Sequence, residues 1–208
     1  MHEQTPKKSR REEYAEATRQ ALLSAARDMF TTEGYQATNI EAIAQAARVT
    51  RGAFYYHFAD KKALFDAVVV ALEAEAAHAV AMRARTIGQA WERLLVGIDA
   101  YLDVCLEPTY RRLVLQEAPA VLGIARARAI DEQSSLALLI MTLESLRQTG
   151  ELDCKQSDIF GHMLGAMICE VALLLPDSQS PERLREQAQE VIRKVLDTFH
   201  RFPDRREA

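Results

Sequence analysis

The chain has 208 residues, of which 49% are hydrophobic and 27% are charged, and its formal net charge is −4 at pH 7. This balance is typical of a globular protein and excludes a disordered or fibrous chain. The cysteines Cys105, Cys154 and Cys169 have no paired spacing, which excludes a disulfide framework and favours a reducing, cytoplasmic location.

The apolar runs are short compared with the roughly 20 residues that a bilayer span needs. We therefore expect no transmembrane helix and no membrane partner. The charged N-terminus has no apolar segment behind it, so we expect no signal peptide. Residues 1–65 carry ten Lys and Arg against eight Asp and Glu, whereas the remainder carries sixteen against twenty-two. This asymmetry weakly suggests that only the N-terminal part meets an anion.

Helical signals begin after a polar segment. Residues 1–13, with the basic run Lys7, Lys8, Arg10 and Arg11, are interpreted as a flexible arm that is either a solvated tail or a DNA contact. The apolar spacing then predicts a first helix over residues 14–32 that Gly34 ends.

Short helices follow. Thr38 with Glu41 forms a capping-box pattern that predicts the start of a second helix. A third helix is expected over residues 50–58. A fourth helix is expected to begin after Asp60 as N-cap and to continue beyond Val80.

The rest of the chain also has helical periodicity. We predict a helix over 89–106, a helix that starts at Pro108 and breaks at Pro119, a helix from about 120 to 149 ended by Gly150, and helices over 157–175 and 181–202. No segment alternates convincingly over the length of a strand. The predicted fold class is all-α, with an N-terminal three-helix domain and a larger C-terminal helical domain.

Helices two and three, joined by the tight link 46–49, form a candidate helix-turn-helix. Val49, Phe54 and Phe58 can face inward, which leaves a polar face outward. On that face, Arg51 could pair with guanine, and Thr50 or Ala53 could contact a thymine methyl. The candidate DNA-contacting residues are Thr38, Asn39, Thr50, Arg51, Gly52, Ala53, Tyr55, Tyr56, His57 and Lys61. The competing interpretation of Tyr55–His57 is an aromatic patch that closes a small core, but consecutive aromatic residues cannot all face inward on a helix.

The stretch from Gly34 to Phe65 carries a specific pattern. The residues Gly34-Tyr35-x-x-Thr38-x-Ile40-x-x-Ile43-Ala44 and Val49-Thr50-Arg51-Gly52-Ala53-Phe54-Tyr55-Tyr56-His57-Phe58-x-Asp60-Lys61-x-x-Leu64-Phe65 resemble the TetR/AcrR family of transcriptional regulators. Residues 110–123 also look like a recurrent C-terminal segment of that family. One position departs from the pattern, because Arg48 stands where the family commonly has glycine. A left-handed Arg48 would be strained by about 1–2 kcal/mol and would either reach phosphate or remain solvated.

The resemblance implies a homodimer that binds a double-stranded DNA operator and a small-molecule effector. It implies a helix-turn-helix domain over 14–60 and an effector-binding and dimerisation domain over 61–208, with the last two helices forming the dimer. A one-component repressor released by its ligand is the expected function. The alternatives are an effector-independent dimeric DNA-binding protein and an all-α enzyme with an incidental helical hairpin.

Candidate effector-pocket residues are apolar positions of the middle helices, each of which taken alone is more often ordinary core. They are Trp91, Leu95, Ile98, Leu102, Cys105, Leu138, Met141, Met163 and Met167, with Glu170 and Ser134 as polar groups. Glu170 could meet a cationic ligand or lie at a dimer edge. Isolated histidines and the lack of nucleophile or phosphate-loop motifs predict no metal, no cofactor and no enzymatic activity.

Overall fold

The computed structural model describes residues 9–201, and within that range the protein is all-α, as predicted. Its helices are α1 (Arg10–Glu33), α2 (Ile40–Ala46), α3 (Arg51–His57), α4 (Lys61–Ala84), α5 (Ala90–Leu106), α6 (Pro108–Tyr110), a π-helix (Arg111–Glu117), α7 (Ala118–Val121), α8 (Ile124–Asp131), α9 (Ser135–Thr149), α10 (Ser157–Leu174), a 3-10 turn (Leu175–Asp177) and α11 (Pro181–Phe199). The described residues contain no β-strand, only an isolated antiparallel bridge between Leu152 and His200.

The chain forms two compact units, of which the first ends at Val69 and the second begins at Val70. This division falls inside α4, so that one helix contributes to both units. Asp60 accepts a hydrogen bond from the Ala63 N–H at 2.7 Å and caps α4, as predicted. The predicted extension of α4 beyond Val80 is also confirmed.

Aromatic side chains fill the core of the first unit. Phe30 of α1 and Phe65 of α4 are fully buried and pack edge to face, with ring centroids 5.2 Å apart. Phe54 and Phe58 are buried as predicted, whereas Val49 is only half-buried. Each of these aromatic residues removes a large apolar area from water, which stabilises a domain too small to bury many side chains.

The start of α1 differs from the prediction. Ser9 accepts a hydrogen bond from the Glu12 N–H, and Glu12 accepts one from the Ser9 N–H at 2.7 Å, which is a complete capping box. The helix therefore begins at Arg10, so Arg10 and Arg11 are helical and do not belong to an arm. Lys7 and Lys8, with the rest of the predicted arm, lie outside the described residues.

The predicted cap of α2 is wrong by one residue. Asn39, and not Thr38, is the N-cap, and its side chain accepts from the Ala42 N–H at 2.8 Å. Thr38 is buried, and its hydroxyl donates to the Gly34 carbonyl at 2.8 Å. Asn is at least as effective as Thr at this position, because its carbonyl reaches the unpaired N–H groups of the first turn.

Two helix boundaries in the second unit also differ from the prediction. The helix that starts at Pro108 continues through Pro119, because the preceding turn widens into a π-helix in which the Ala118 N–H bonds the Leu113 carbonyl. This wider turn accommodates a ring that clashes with the carbonyl four residues earlier in a regular α-helix. The single helix expected over residues 120–149 is two helices, α8 and α9, separated by a turn over residues 132–134.

Helix α10 packs against α9 and α5. A Cβ added at Gly161 would lie 2.6 Å from Cγ1 of Ile140, so glycine permits the close approach of α9 and α10. By length and composition alone, Ser157–Asp177 could cross a membrane, with a mean hydropathy of 1.8 and 33% of the segment buried. Gly, His and Glu residues interrupt its apolar runs, so the run lengths in the sequence predicted no transmembrane helix.

Candidate nucleic-acid interface and internal cavity

Helix α3 has one buried face and one exposed face. Phe54 is fully buried, whereas Tyr55 and Tyr56 are 45% and 72% exposed. Thr50, Arg51 and Gly52 are exposed, and Ala53 and His57 are half-buried. The helix therefore presents small, polar and aromatic side chains outward from an aromatic anchor, which is the arrangement that a recognition helix needs.

The first turn of α3 is capped and uncrowded. Thr50 is the N-cap, and its hydroxyl accepts from the Ala53 N–H at 3.1 Å, so this hydroxyl already has a structural partner. A Cβ added at Gly52 would meet only the Thr50 hydroxyl oxygen, at 3.8 Å. Packing within the protein therefore does not require glycine at residue 52.

Arg51 is held by two neighbours. Its Nη1 lies 2.7 Å from Oε1 of Glu41, and its Nη2 donates to the Tyr55 hydroxyl at 3.4 Å. The Tyr55 and Glu41 contacts raise the pKa of the guanidinium, which stays charged. Glu41 was not among the predicted site residues, although its position on α2 made it a possible partner for a cation on α3.

The turn between α2 and α3 contains a left-handed arginine. Arg48 has a φ of 57° and is the one described residue other than glycine with a positive φ. Its N–H bonds the Gln45 carbonyl at 3.0 Å, and the Val49 N–H bonds the Ala44 carbonyl at 2.9 Å. These two bonds form a Schellman motif, in which the left-handed position normally favours glycine. Arg48 therefore carries the backbone strain that the sequence analysis considered.

The Lys61 ammonium group closes the loop that precedes α2. Its Nζ donates to the carbonyls of Tyr35 and Thr38, each at 2.7 Å, and lies 4.3 Å from the centroid of the Tyr35 ring. The amine predicted to contact DNA thus has internal partners. Burial of the Tyr35 hydroxyl and the negative charge of Asp60 both raise the pKa of that hydroxyl.

The second unit contains a cavity of about 500 Å³. Its walls come from α4, α5, α8, α9 and α10, and most of the lining is apolar, with Val80, Leu94, Ile98, Leu136, Leu139 and Ile168 as the larger side chains. The polar residues of the lining are Tyr101, Asp131, Ser135 and Thr142, together with the exposed Arg85 and Arg93. The volume lies within the range of about 300–1,000 Å³ that small-molecule sites occupy.

The predicted pocket residues are spread over several locations. Ile98 and Leu138 line the cavity. Leu95, Ile98 and Leu102 border a second depression of about 350 Å³ between α5 and α11. Trp91 stacks on His200 with ring centroids 3.7 Å apart, and Cys105 is fully buried. Met141, Met163 and Glu170 are exposed, and Met167 is half-buried.

A buried acid near the cavity was missed. Glu73 of α4 is 2% exposed and accepts hydrogen bonds from Tyr110, Ser134 and Ser135 at 2.9, 3.1 and 3.2 Å. Burial raises its pKa, and the three hydroxyls partly oppose that rise. Ser134 was expected near a pocket, but Glu73 lies on a helix whose apolar pattern gave no indication that it faces inward.

Asp131 is the second missed acid. Burial and the neighbouring Glu73 raise the pKa of its carboxyl to about 7, and a hydrogen bond from the Leu136 backbone opposes the rise. Its Oδ1 is buried and has no hydrogen-bond partner. The unpredicted break between α8 and α9 brings Asp131 and Ser135 to the cavity, so a continuous helical stripe could not identify them.

An apolar stripe remains exposed on the last long helices. Ile159, Met163 and Leu174 on α10 and Val191 on α11 are each more than half exposed. Residues 159, 163 and 174 recur at helical spacing, so they form one face of α10. Exposed apolar stripes of this kind mark interaction surfaces in soluble domains.

The fold and the exposed face of α3 define a helix-turn-helix DNA-binding protein with an additional helical unit. The sequence matches the description "Bacterial regulatory proteins, tetR family" over residues 22–68 and "Tetracyclin repressor-like, C-terminal domain" over residues 91–199. The second match alone covers more than half of the chain, and the chain belongs to the TetR family of transcriptional regulators.

Individual relatives agree with this assignment. The Transposon Tn10 TetC protein of Escherichia coli is 26% identical over 166 residues, which cover 80% of this chain and 84% of TetC. The regulator AcrR of Shigella flexneri is 46% identical over 54 residues, 26% of this chain and 25% of AcrR. A TetR-family regulator of Pectobacterium atrosepticum has a similar crystal structure, with a TM-score of 0.75, 28% identity, and coverage of 94% and 100% of the two chains. Regulators of this family are non-enzymatic.

Proposed function

We propose that this regulator is a cytoplasmic repressor that binds a palindromic operator as a homodimer and is released by a small-molecule effector. The observation that carries the proposal is the face of α3, where Tyr55 and Tyr56 are exposed directly after the buried Phe54. In a dimer, two such helices would enter successive major grooves about 34–36 Å apart.

The DNA contacts divide into base-reading and positioning residues. Arg51 reads guanine, and Ala53 with the methyl group of Thr50 contacts thymine. Tyr55, Tyr56 and His57 donate to phosphates, and Asn39 at the start of α2 approaches the backbone. Binding to guanine requires Arg51 to leave Glu41, so DNA recognition exchanges one charge-assisted contact for another. Lys61 and Thr38 support this surface through the loop that they hold together.

Dimerisation is assigned to α10 and α11. The exposed stripe of Ile159, Met163, Leu174 and Val191 supports this assignment, because four large apolar side chains in water are costly unless a second copy covers them. Glu170 lies on the same helix at an exposed position, which favours the dimer-edge interpretation of this residue.

Ligand response is assigned to the cavity. Helix α4 begins shortly after α3 ends, and its last part, with Val80 and Ala84, lines the cavity. A ligand that binds more tightly to the protein with α4 in one position than in another shifts the protein toward that state by its difference in affinity.

The alternative is an effector-independent dimeric DNA-binding protein, in which the cavity stays empty. A thermal midpoint unchanged by a broad set of compounds would favour that alternative.

The test is binding of the purified protein to its own upstream DNA across a series of salt concentrations, with selection from random sequences if that DNA contains no site. We expect sequence-preferring binding that weakens steeply with salt. Tyr56→Ala should abolish this preference, whereas Tyr14→Ala, a change at an equally exposed tyrosine of α1, should not. Equal binding to all sequences, with selection returning no preferred site, would contradict the proposal.

A further inference from the structure

The cavity of the second unit has an unusual arrangement of charge. Two carboxyl groups, those of Glu73 and Asp131, lie close enough for Glu73 to raise the pKa of Asp131. All hydrogen-bond donors to Glu73 are neutral hydroxyls. In the described part of the chain, no Lys or Arg side chain contacts either carboxyl group. Buried carboxylates are normally paired with a cation, and the protein supplies none to these two groups.

Asp131 is the acid that a ligand can reach. It lines the cavity, whereas Glu73 lies behind Ser135 and Tyr110. Its buried Oδ1 has no donor from the protein. The protein therefore leaves this carboxyl group incompletely satisfied, and a cation in the cavity would stabilise its ionised form.

Uncharged hydroxyl groups share the cavity lining with Asp131. Tyr101 and Ser135 also line the cavity, and the Tyr101 hydroxyl lies 3.5 Å from the Tyr110 hydroxyl, which in turn donates to Glu73. Most of the remaining large side chains of the wall are apolar. The two arginines of the lining are solvent exposed, so they border the cavity without neutralising its acid.

We propose that the effector of this regulator is a largely apolar molecule with one protonated amine, whose N–H groups donate to the carboxylate of Asp131 while its apolar part fills the space between α4, α5, α9 and α10. This inference rests on the proposed function of the cavity as the effector site. The amine supplies the cation that the two carboxyl groups lack. A carboxylate ligand of the same shape would be repelled by these groups, and an alcohol would gain a hydrogen bond without the charge.

The test uses decylamine, decanol and decanoate, which share one chain length and differ in head group. Each is titrated below its aggregation concentration at mildly alkaline pH, and binding is measured by calorimetry and by the shift of the thermal midpoint. We expect decylamine to bind at least about tenfold more tightly than decanol, and decanoate to bind more weakly than either.

Asp131→Asn keeps the shape of the side chain and removes its charge. This variant should lose the preference for decylamine while it still binds decanol. Asp177→Asn, at an exposed position, is the matched control and should bind as the unchanged protein does. Circular dichroism and the melting curve of each variant verify that it is folded.

The outcomes separate the ligand class from the proposed function. Equal affinity for the three compounds, or tighter binding of decanoate, would overturn the amine proposal and leave the cavity as an effector site. An undiminished preference for decylamine in Asp131→Asn would overturn the role of Asp131. Tight, Asp131-dependent binding of decylamine that never changes operator affinity would instead contradict the proposed ligand response. Binding of none of the compounds would contradict both.

Discussion

At the scale of single residues, the backbone conformation of Arg48 is the clearest departure from ideal geometry. A residue with a side chain is destabilised in the left-handed region by about 1–2 kcal/mol. Arg48→Gly should therefore raise the free energy of unfolding by about 1 kcal/mol. The greater conformational entropy of glycine in the unfolded chain offsets part of this gain. Chemical denaturation measures this change.

An unchanged or lowered stability of Arg48→Gly would mean that the arginine side chain makes compensating contacts. Arg48→Ala is the informative companion variant, because it keeps the backbone strain and removes the side chain. A loss of DNA affinity in both variants would identify the guanidinium as a phosphate contact.

A substitution at Gly52 would test how closely DNA approaches the backbone of α3. The space around it is open, so Gly52→Ala should fold normally and gain up to about 1 kcal/mol of helix stability. If the backbone of α3 approaches base edges at this residue, the added methyl group should weaken operator binding by about tenfold or more. Electrophoretic mobility shift and thermal denaturation together measure both effects.

Gly88→Ala provides the control, since a Cβ there also meets nothing within 4 Å and the residue lies in the loop before α5. This variant should bind the operator normally. Operator affinity unchanged by Gly52→Ala would place the DNA farther from α3 than the proposal requires.

At the scale of elements, the contact between α9 and α10 depends on Gly161. An alanine at this position would place its Cβ 2.6 Å from Ile140, and the helices would have to separate or Ile140 would have to leave its position. We expect Gly161→Ala to lower the free energy of unfolding by about 1–3 kcal/mol, the usual cost of overpacking. Denaturant titration gives the value directly.

Gly165→Ala, one turn further along α10, is the matched control. Its Cβ would lie 3.7 Å from Leu136, an ordinary contact, so the variant should be neutral or slightly stabilised. Equal effects of the two substitutions would show that helix propensity, and not the close approach of α9 and α10, determines the outcome.

Sequence periodicity predicted the long helices well and the short breaks poorly. The periods of α4, α5, α10 and α11 extend over several turns, so each apolar face is well defined. The break between α8 and α9 depends instead on local hydrogen bonds, such as that from the Ser134 hydroxyl to the Ile130 carbonyl at 2.9 Å. No pattern of apolar residues contains that information. The polar part of the cavity, which this break creates, was therefore not predicted.

Recognition-helix residues were easier to identify than pocket residues. On α3, Phe54 and Phe58 fix which side is buried, so the exposed side follows directly. On α9 and α10, apolar residues cover nearly every face, and sequence alone cannot distinguish a cavity wall from a dimer surface. For this reason Met141 and Met163 were wrongly predicted to line the pocket, whereas both lie on the surface.

At the scale of the whole molecule, the apolar stripe on α10 predicts an obligate assembly. Met163→Arg should place a charge in the proposed dimer interface and yield a monomer that no longer binds a palindromic operator tightly. Ile124→Arg changes an equally exposed apolar residue outside α10 and α11 and should remain dimeric. Light scattering after size-exclusion chromatography measures the mass of each. A dimeric Met163→Arg protein would place the interface elsewhere.

The stability of the molecule should also depend on pH through Asp131. Its pKa is raised from 3.8 to about 7 in the folded protein, so between these values the folded state keeps a proton that the unfolded state has released. The free energy of unfolding should therefore decrease as pH rises from about 4 to 7 and then level off. Because burial also raises the pKa of the neighbouring Glu73, the decrease in stability reflects the titration of both carboxyl groups.

Asp131→Asn should remove most of this slope and be more stable than the unchanged protein above about pH 7. The upper bound, at about 1.4 kcal/mol per pH unit, is about 4 kcal/mol. The difference between the two denaturation curves at each pH isolates the contribution of Asp131. Parallel curves for the two proteins would mean that Asp131 is ionised throughout.

The left-handed Arg48 also affects which amino-acid substitutions this regulator can tolerate. Its strain is free energy that a single substitution can recover without altering the exposed face of α3. Most changes in a recognition helix reduce stability, and proteins tolerate such changes only while they remain above the threshold for folding. An Arg48→Gly background should therefore accept a wider set of substitutions on α3, which makes it the preferred starting point for laboratory evolution toward a new operator.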